Sequence, residues 1–203
     1  MTISELNQLR PDLAFIADWI KPGAQVLDVG CGDGEMLDYL QSAKQCHGYG
    51  IEIADDKVLA CARRQVSVIQ QDIDQGLGMF TDNSFDTVLC LSSLQMMKHV
   101  ENTLREIARV GQEAIVSFPN FGYWPHRTAL LRGRMPVSKS LPYQWYDTPN
   151  VRCATIYDFA DLAHDVGLEV LECVALHEGR PVRILPNWRG SLAVFRLRRR
   201  QPV

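Results

Sequence analysis

The hydrophobic positions of this chain change period several times, and each change marks an element. Leu13, Ile16, Ala17 and Ile20 recur at helical spacing, and Pro22-Gly23 ends that helix. Val26, Leu27 and Val29 form a short apolar run that stops at Gly30, which reads as a strand. A helix follows from Gly34 to Ala43 with Met36, Leu37 and Leu40 inward, then a strand from Gly48 to Ile53. Asp55 is placed to cap a third helix that packs Val58, Leu59 and Ala62. Val66 to Gln70 and Phe85 to Leu91 read as the third and fourth strands. Val100, Leu104, Ile107 and Ala108 mark another helix, and Glu113 to Phe118 a fifth strand. Strands alternating with helices predict a mainly parallel sheet covered on both faces.

The alternation lapses after Pro119. Residues 119–154 are rich in Pro, Gly, Arg and aromatics, with one helix expected from Pro125 to Gly133. Thr155 and Asp158 then form an N-terminal capping arrangement for a helix running to Val166, with Gly167 as its stop. Leu168 to Leu176 and Ser191 to Leu197 read as two closing strands, joined closely enough to pair antiparallel. No repeat, low-complexity tract or linker interrupts the chain. The expected organisation is one domain over residues 1–203, carrying an insert at 119–154.

Composition narrows the class. With 203 residues, 46% hydrophobic and 22% charged, the chain has the balance of an ordinary globular protein, which excludes disordered and fibrous classes. No run approaches the roughly 20 apolar residues of a membrane span. The first residues, MTISELNQLRPDL, lack the basic start and apolar stretch of a signal peptide, so a cytoplasmic location is expected. The formal net charge of −3 hides an asymmetry: residues 1–119 carry 9 Lys+Arg against 17 Asp+Glu, whereas residues 120–203 carry 12 against 7. Six cysteines form no CxxC pair and are joined by no His-rich cluster, so no metal is expected and most should be small buried hydrophobes.

The sharpest local feature is Asp28-Val29-Gly30-Cys31-Gly32-Asp33-Gly34, where a strand turns into a helix. Glycines there let the backbone approach a ligand. The next strand ends in Gly50-Ile51-Glu52, and Glu52 stands about 20 residues further on, the spacing of a ribose-binding acid. A dinucleotide fingerprint wants a third small residue where Glu35 stands, and the pyrophosphate would meet Asp33 and Glu35. The loop therefore suits a cationic or neutral ligand. S-adenosylmethionine, with its sulfonium, ammonium and ribose, meets that description.

This pattern resembles the class I S-adenosylmethionine-dependent methyltransferases. The resemblance implies an α/β, Rossmann-like fold: a mainly parallel seven-stranded sheet with an antiparallel last strand and helices on both faces. It also implies a cofactor, S-adenosylmethionine or S-adenosylhomocysteine. Gly30, Gly32 and Gly34 would border the methionine moiety, Asp28 would lie near its amine, and Glu52 would hold the ribose hydroxyls. Asp72 would accept from the adenine amino group between Ile53 and Ile73, and Cys31 and Leu91 complete the expected contacts. The alternative for Asp72 is to cap a turn only, and for Asp28 to satisfy loop amides.

No catalytic residue stands out. His99, at a helix start, reads as a surface residue, and Cys90 as a buried, inert thiol. Phe118-Pro119-Asn120-Phe121 follows the fifth strand rather than the fourth and has the wrong order for an amino-methyltransferase signature. No Gly-x-Ser-x-Gly elbow occurs, so the chain is not expected to perform serine-type acyl transfer.

The segment from Ile115 to Phe159, with its PYQWYDTPN stretch, together with NSFDTVLCLSSLQ at 83–95, closely resembles the MetW family of methionine biosynthesis. That resemblance implies a partner or activator role with MetX-type homoserine O-acyltransferase. The implied alternative is an active methyltransferase acting on a small molecule beneath residues 119–154. Within 120–154, Arg127, Arg132, Arg134, Lys139 and Arg152 face one acid, Asp147, and are interleaved with Tyr123, Trp124, Tyr143, Trp145 and Tyr146. Arg with Trp and Tyr is the composition of binding hot spots. A lid packing over the cofactor pocket is compatible with that reading. Nucleic acid is not an expected partner: the dense run Arg196, Arg198, Arg199, Arg200 reads as a frayed charged terminus, and the sequence pI is about 5.9.

Overall fold

The computed structural model describes residues 9–200. The first helix, α1 (Pro11–Ala17), begins with Pro at a position that needs no donor and buries Leu13, Ile16 and Ala17. Lys44 closes its other end by donating to the carbonyls of Ala17 and Ile20. Then come β1 (Gln25–Val29), α2 (Glu35–Lys44), β2 (His47–Glu52), α3 (Asp55–Arg63), β3 (Val68–Gln70), β4 (Phe85–Leu91), α4 (Val100–Val110) and β5 (Gly111–Pro119). The second half holds α5 (Trp124–Leu131), α6 (Ile156–Asp165), β6 (Leu168–His177), β7 (Arg180–Pro181), α7 (Pro186–Arg189) and β8 (Leu192–Arg199).

All eight strands join one sheet in the order β3-β2-β1-β4-β5-β8-β6-β7. Strands β1 to β5 are parallel, and β8 lies antiparallel between β5 and β6. The α/β fold with helices on both faces is as the sequence predicts, except that the sheet has an eighth strand. Glu178 and Gly179 both take positive φ, the geometry of a tight hairpin, and they fold β7 back onto β6. The short helix α7 is a further element the pattern did not mark. Two apolar layers flank the sheet. One includes α1, α2 and Cys61 of α3, and the other includes α4, α6 and the rings of Phe118, Phe159 and Phe195.

Three local expectations are corrected. Asp55 is the first residue of α3 rather than its cap; the cap position is Ala54, with no side-chain bond, and the Asp55 carboxylate accepts from Gln70. The same helix turns Leu59 and Ala62 outward, with Val58 only partly covered, and buries Cys61. The arginines of β8 are not a frayed tail. Arg196 pairs with Glu113 at 2.8 Å and Glu172 at 2.9 Å, and Arg198 with Glu169 at 2.8 Å. By contrast, Thr155 and Asp158 form the expected reciprocal capping box of α6.

Candidate ligand site at the strand ends

Strand order reverses between β1 and β4, and ligands of open α/β sheets bind in the crevice at the carboxyl ends beside such a reversal. Asp28 stands one residue before the carboxyl end of β1, Glu52 at that of β2, and Asp72 two residues beyond that of β3. The turn out of β1 is fixed by the backbone: the amides of Gly30 and Cys31 donate to the Ile51 carbonyl at 2.8 and 3.1 Å. Gly30 has φ +75°, and a Cβ there would lie 2.6 Å from the Cβ of Ser93. Ser93 is itself locked in place, donating from Oγ to the Val29 carbonyl at 2.9 Å. Gly34, at φ +80°, packs the start of α2 against Cys61 and Val66, 3.1–3.4 Å from where its Cβ would be. Close helix packing therefore falls to Gly34, and Glu35 one residue later is not asked to provide it.

Glu52 ties the site together. Its Oε2 accepts from the Gly32 amide at 2.9 Å, and its Oε1 accepts from Ile53 and Ala54 at 2.8 and 3.0 Å. Of the about four acceptor positions of a carboxylate, three are thus taken by amides. A ribose hydroxyl has one open position on Oε2, and engaging a second requires a loop amide to yield.

Asp28 is the opposite case. It is 2% exposed, and its Oδ1 has no hydrogen-bond partner among the described residues. Burial, with Glu52 nearby, pushes its pKa from the ordinary 3.8 up to about 7. A buried carboxylate with a vacant acceptor is costly unless something donates to it. A ligand ammonium is one group that could supply the missing donor and charge together. The negative side chains also act on Cys31, whose thiol pKa is pushed far up by burial and then by Asp28. Cys31 and Cys61 sit with sulfurs 3.8 Å apart, held in the thiol state rather than poised for reaction.

The remaining predicted contacts fall in two places. Ile53, 60% exposed, and Asp72 line an open hollow of about 640 Å³ beyond β2 and β3. Asp72 caps the turn at Ile73–Gln75 by accepting from Asp74 at 3.0 Å, while its other oxygen is the one left for a ligand. Ile73 and Leu91 pack chiefly against the two core layers. Reading the residues one by one missed Ser93 and Asp74. Asp74 accepts from the backbone amides of Lys98 and His99 at 3.0–3.1 Å, fixing the segment after β4. No periodic or spacing signal marks either residue.

Over the ends of β4, β5 and β8 lies a second cleft of about 860 Å³, lined in part by Ser92, Gln95, Tyr123, Tyr143 and Leu192. One wall is the 119–154 insert, whose root is Asn120. That side chain is fully buried, donates to the carbonyls of Asn187 and Gly190 at 3.1 and 2.9 Å, and accepts from Gly122 at 3.0 Å. His126, 1% exposed, bridges the Asn120 carbonyl at 3.1 Å and the Ser138 hydroxyl at 2.9 Å. The Phe118-Pro119-Asn120-Phe121 stretch is therefore a structural joint.

The fold is shared with solved proteins that include a methyltransferase and a cyclase. An S-adenosylmethionine dependent methyltransferase from Mesorhizobium loti superposes with TM-score 0.71 at 15% identity, covering 96% of this chain and all of that one. The [4+2]-cyclase SpnF superposes with TM-score 0.68 at 19% identity, covering 94% of this chain and 81% of that one. In sequence, the bifunctional methionine biosynthesis protein MetXA/MetW of Rhodopirellula baltica is 35% identical over 189 residues, 88% of this chain. The chain spans 30% of that relative's length. The family described as methionine biosynthesis protein MetW matches residues 10–197, and this chain belongs to it.

Proposed function

We propose that this protein binds S-adenosylmethionine or S-adenosylhomocysteine at the ends of β1 to β3 and acts as the accessory partner of a MetX-type homoserine O-acyltransferase. The relative that carries MetXA and MetW in one chain is the observation that carries the partnership. Two proteins that are covalently joined in one organism are natural partners where they are separate. The cofactor half of the reading is supported by Asp28, a buried carboxylate whose free oxygen calls for a cationic donor. In this reading Asp28 receives the methionine ammonium, Gly30, Cys31, Gly32 and Gly34 lie along the methionine, and Glu52 receives a ribose hydroxyl. Asp72 and Ile53 hold the adenine edge, with Ile73 and Leu91 supporting from behind. The cofactor supplies an activated methyl group when bound. In this reading it also acts as a ligand that the end product of the pathway resupplies.

Regulation follows if the ligand binds free and complexed protein with different affinity, since coupling between sites is reciprocal. Titrating the acyltransferase onto this chain with and without saturating S-adenosylmethionine tests that point. Equal affinities would remove the regulatory element. A second reading, a small-molecule methyltransferase, is favoured by one observation: the cleft at the ends of β4 and β5 presents Tyr123 and Tyr143. Incubation with a labelled methyl donor and a metabolite extract separates the two. A labelled product that disappears in Glu52→Ala supports the enzyme, and its absence supports the accessory role.

A further inference from the structure

Outside the ligand crevice lies an exposed apolar ridge built from two segments far apart in sequence. Asn120 pulls α7 against the root of the insert through the carbonyls of Asn187 and Gly190, and this sets α7 beside α5. The contact is visible on the surface, where the Arg127 guanidinium lies 5.2 Å from the centre of the Trp188 ring. Residues 124, 127, 130 and 131 share one side of α5. There, Trp124 is 46% exposed, Leu130 43% and Leu131 86%. On the approach to α7, Ile184 and Leu185 are 68% and 64% exposed, and Leu185 takes φ +51°. A left-handed leucine is costly, and here it belongs to a pair of adjacent, exposed, large apolar side chains.

The charge around the ridge has one sign. Arg127, Arg132, Arg134, Arg183 and Arg189 have no carboxylate within ion-pair distance among the described residues. The other basic cluster of the second half, Arg196 and Arg198, is already neutralised within the sheet. Apolar anchors with a Trp and Arg centre and a cationic rim fit a protein face with an apolar centre and an acidic rim.

We propose that the α5–α7 ridge, centred on Leu131, Ile184, Leu185 and the Arg127–Trp188 pair, is the docking face for the acyltransferase. This rests on the accessory-partner reading above and adds the segment 183–189, which the family-specific stretch at 119–154 does not contain. The partner's matching face is apolar at its centre and acidic around it.

The test measures affinity of the purified acyltransferase for this chain, as wild type and as Leu131→Asp, Ile184→Asp and Trp188→Ala, by titration calorimetry. Leu131 and Ile184 are so exposed that their variants keep the fold, and unchanged S-adenosylmethionine binding and thermal melting confirm it. Trp145→Ala, in the exposed aromatic pair Trp145–Tyr146, is the comparison. Each ridge variant is expected to weaken association by roughly 30-fold, the loss of one interface anchor. Wild-type association that survives all three changes overturns the ridge while leaving the partnership standing. So does loss in Trp145→Ala alone. Sedimentation showing a wild-type dimer that Leu131→Asp disperses makes the ridge a self-association face and overturns the proposal. Failure of the wild type to associate overturns the accessory reading and the ridge with it.

Discussion

Replacing Asp28 by asparagine keeps the shape of a side chain that is 2% exposed and removes its charge. The effect depends on pH, and its sign follows from the pKa. The folded-state value of about 7 lies above the ordinary 3.8, so between those values the folded protein holds a proton that the unfolded chain releases. Asp28 therefore lowers stability progressively as pH rises from about 4 to about 7, and the loss is complete above that. The rise corresponds to about 4 kcal/mol at 1.36 kcal/mol per pH unit. Asp28→Asn is expected to stabilise the ligand-free protein at pH 8 by up to about 4 kcal/mol and to change it little near pH 4. Ligand binding reverses the balance. An ammonium beside Asp28 favours the carboxylate, so below pH 7 binding releases a proton and affinity for S-adenosylmethionine falls as pH falls. The variant loses that affinity along with its pH dependence. Urea unfolding from pH 5 to 9, with and without S-adenosylmethionine, reads both effects. A variant that is less stable than wild type at pH 8, or that binds as tightly, would refute the reasoning.

Other sites give equally definite expectations. Gly30→Ala must accept φ +75° and a Cβ 2.6 Å from that of Ser93, so it should cost at least about 1–2 kcal/mol and displace Ser93; thermal melting and S-adenosylmethionine titration check this. Arg109 donates to the carbonyls of Leu77 and Phe80 and to Glu106 and Asp82 at 2.8–3.1 Å, pinning the loop before β4. Arg109→Ala should destabilise by about 2–3 kcal/mol in urea unfolding, and a change below about 0.5 kcal/mol contradicts the role. His126, buried in the insert, has its pKa held below 6.5 by burial, so the unfolded state protonates first and the insert loosens as pH falls below about 6.5. Faster hydrogen exchange over residues 123–140 at pH 5.5 than at pH 7.5, after correction for intrinsic rates, would show it, and His126→Gln should remove the difference.

The sequence made the repeating part of the molecule readable because periodicity and glycine placement report on it directly. Val26, Leu27 and Val29, buried on both faces of β1, could only be a covered parallel strand, and the acid 20 residues beyond Gly32 fixed the edge of the crevice. Features that depend on tertiary contact were not readable. Asp28 is special because burial leaves one oxygen without a donor, and no spacing rule expresses that. The face of α3 is not readable from hydrophobicity, which ranks Leu59 above Cys61, whereas in the fold Cys61 faces Gly34, its sulfur 3.1 Å from where a Cβ there would stand. The arginines of β8 looked like a tail because their partners, Glu113, Glu169 and Glu172, lie on neighbouring strands. The ridge was invisible for the same reason, since α7 meets the root of the insert through Asn120 and α5 through the Arg127–Trp188 contact.

The charge asymmetry of the chain now divides into parts. The acidic half includes Asp28, Glu52 and Asp72 around a crevice suited to a cationic, hydroxyl-bearing ligand. Part of the basic half is paired inside the sheet, and another part, Arg127, Arg132, Arg134, Arg183 and Arg189, lies on or next to α5 and α7.

The central claim is tested most directly by assaying homoserine acylation by the MetX-type acyltransferase alone and with a molar excess of this chain. The account predicts a stable complex and a changed acylation rate, with Leu131→Asp needing roughly 30-fold more chain to produce the same change. No complex and an unchanged rate, at concentrations where this chain is folded and binds S-adenosylmethionine, would contradict it.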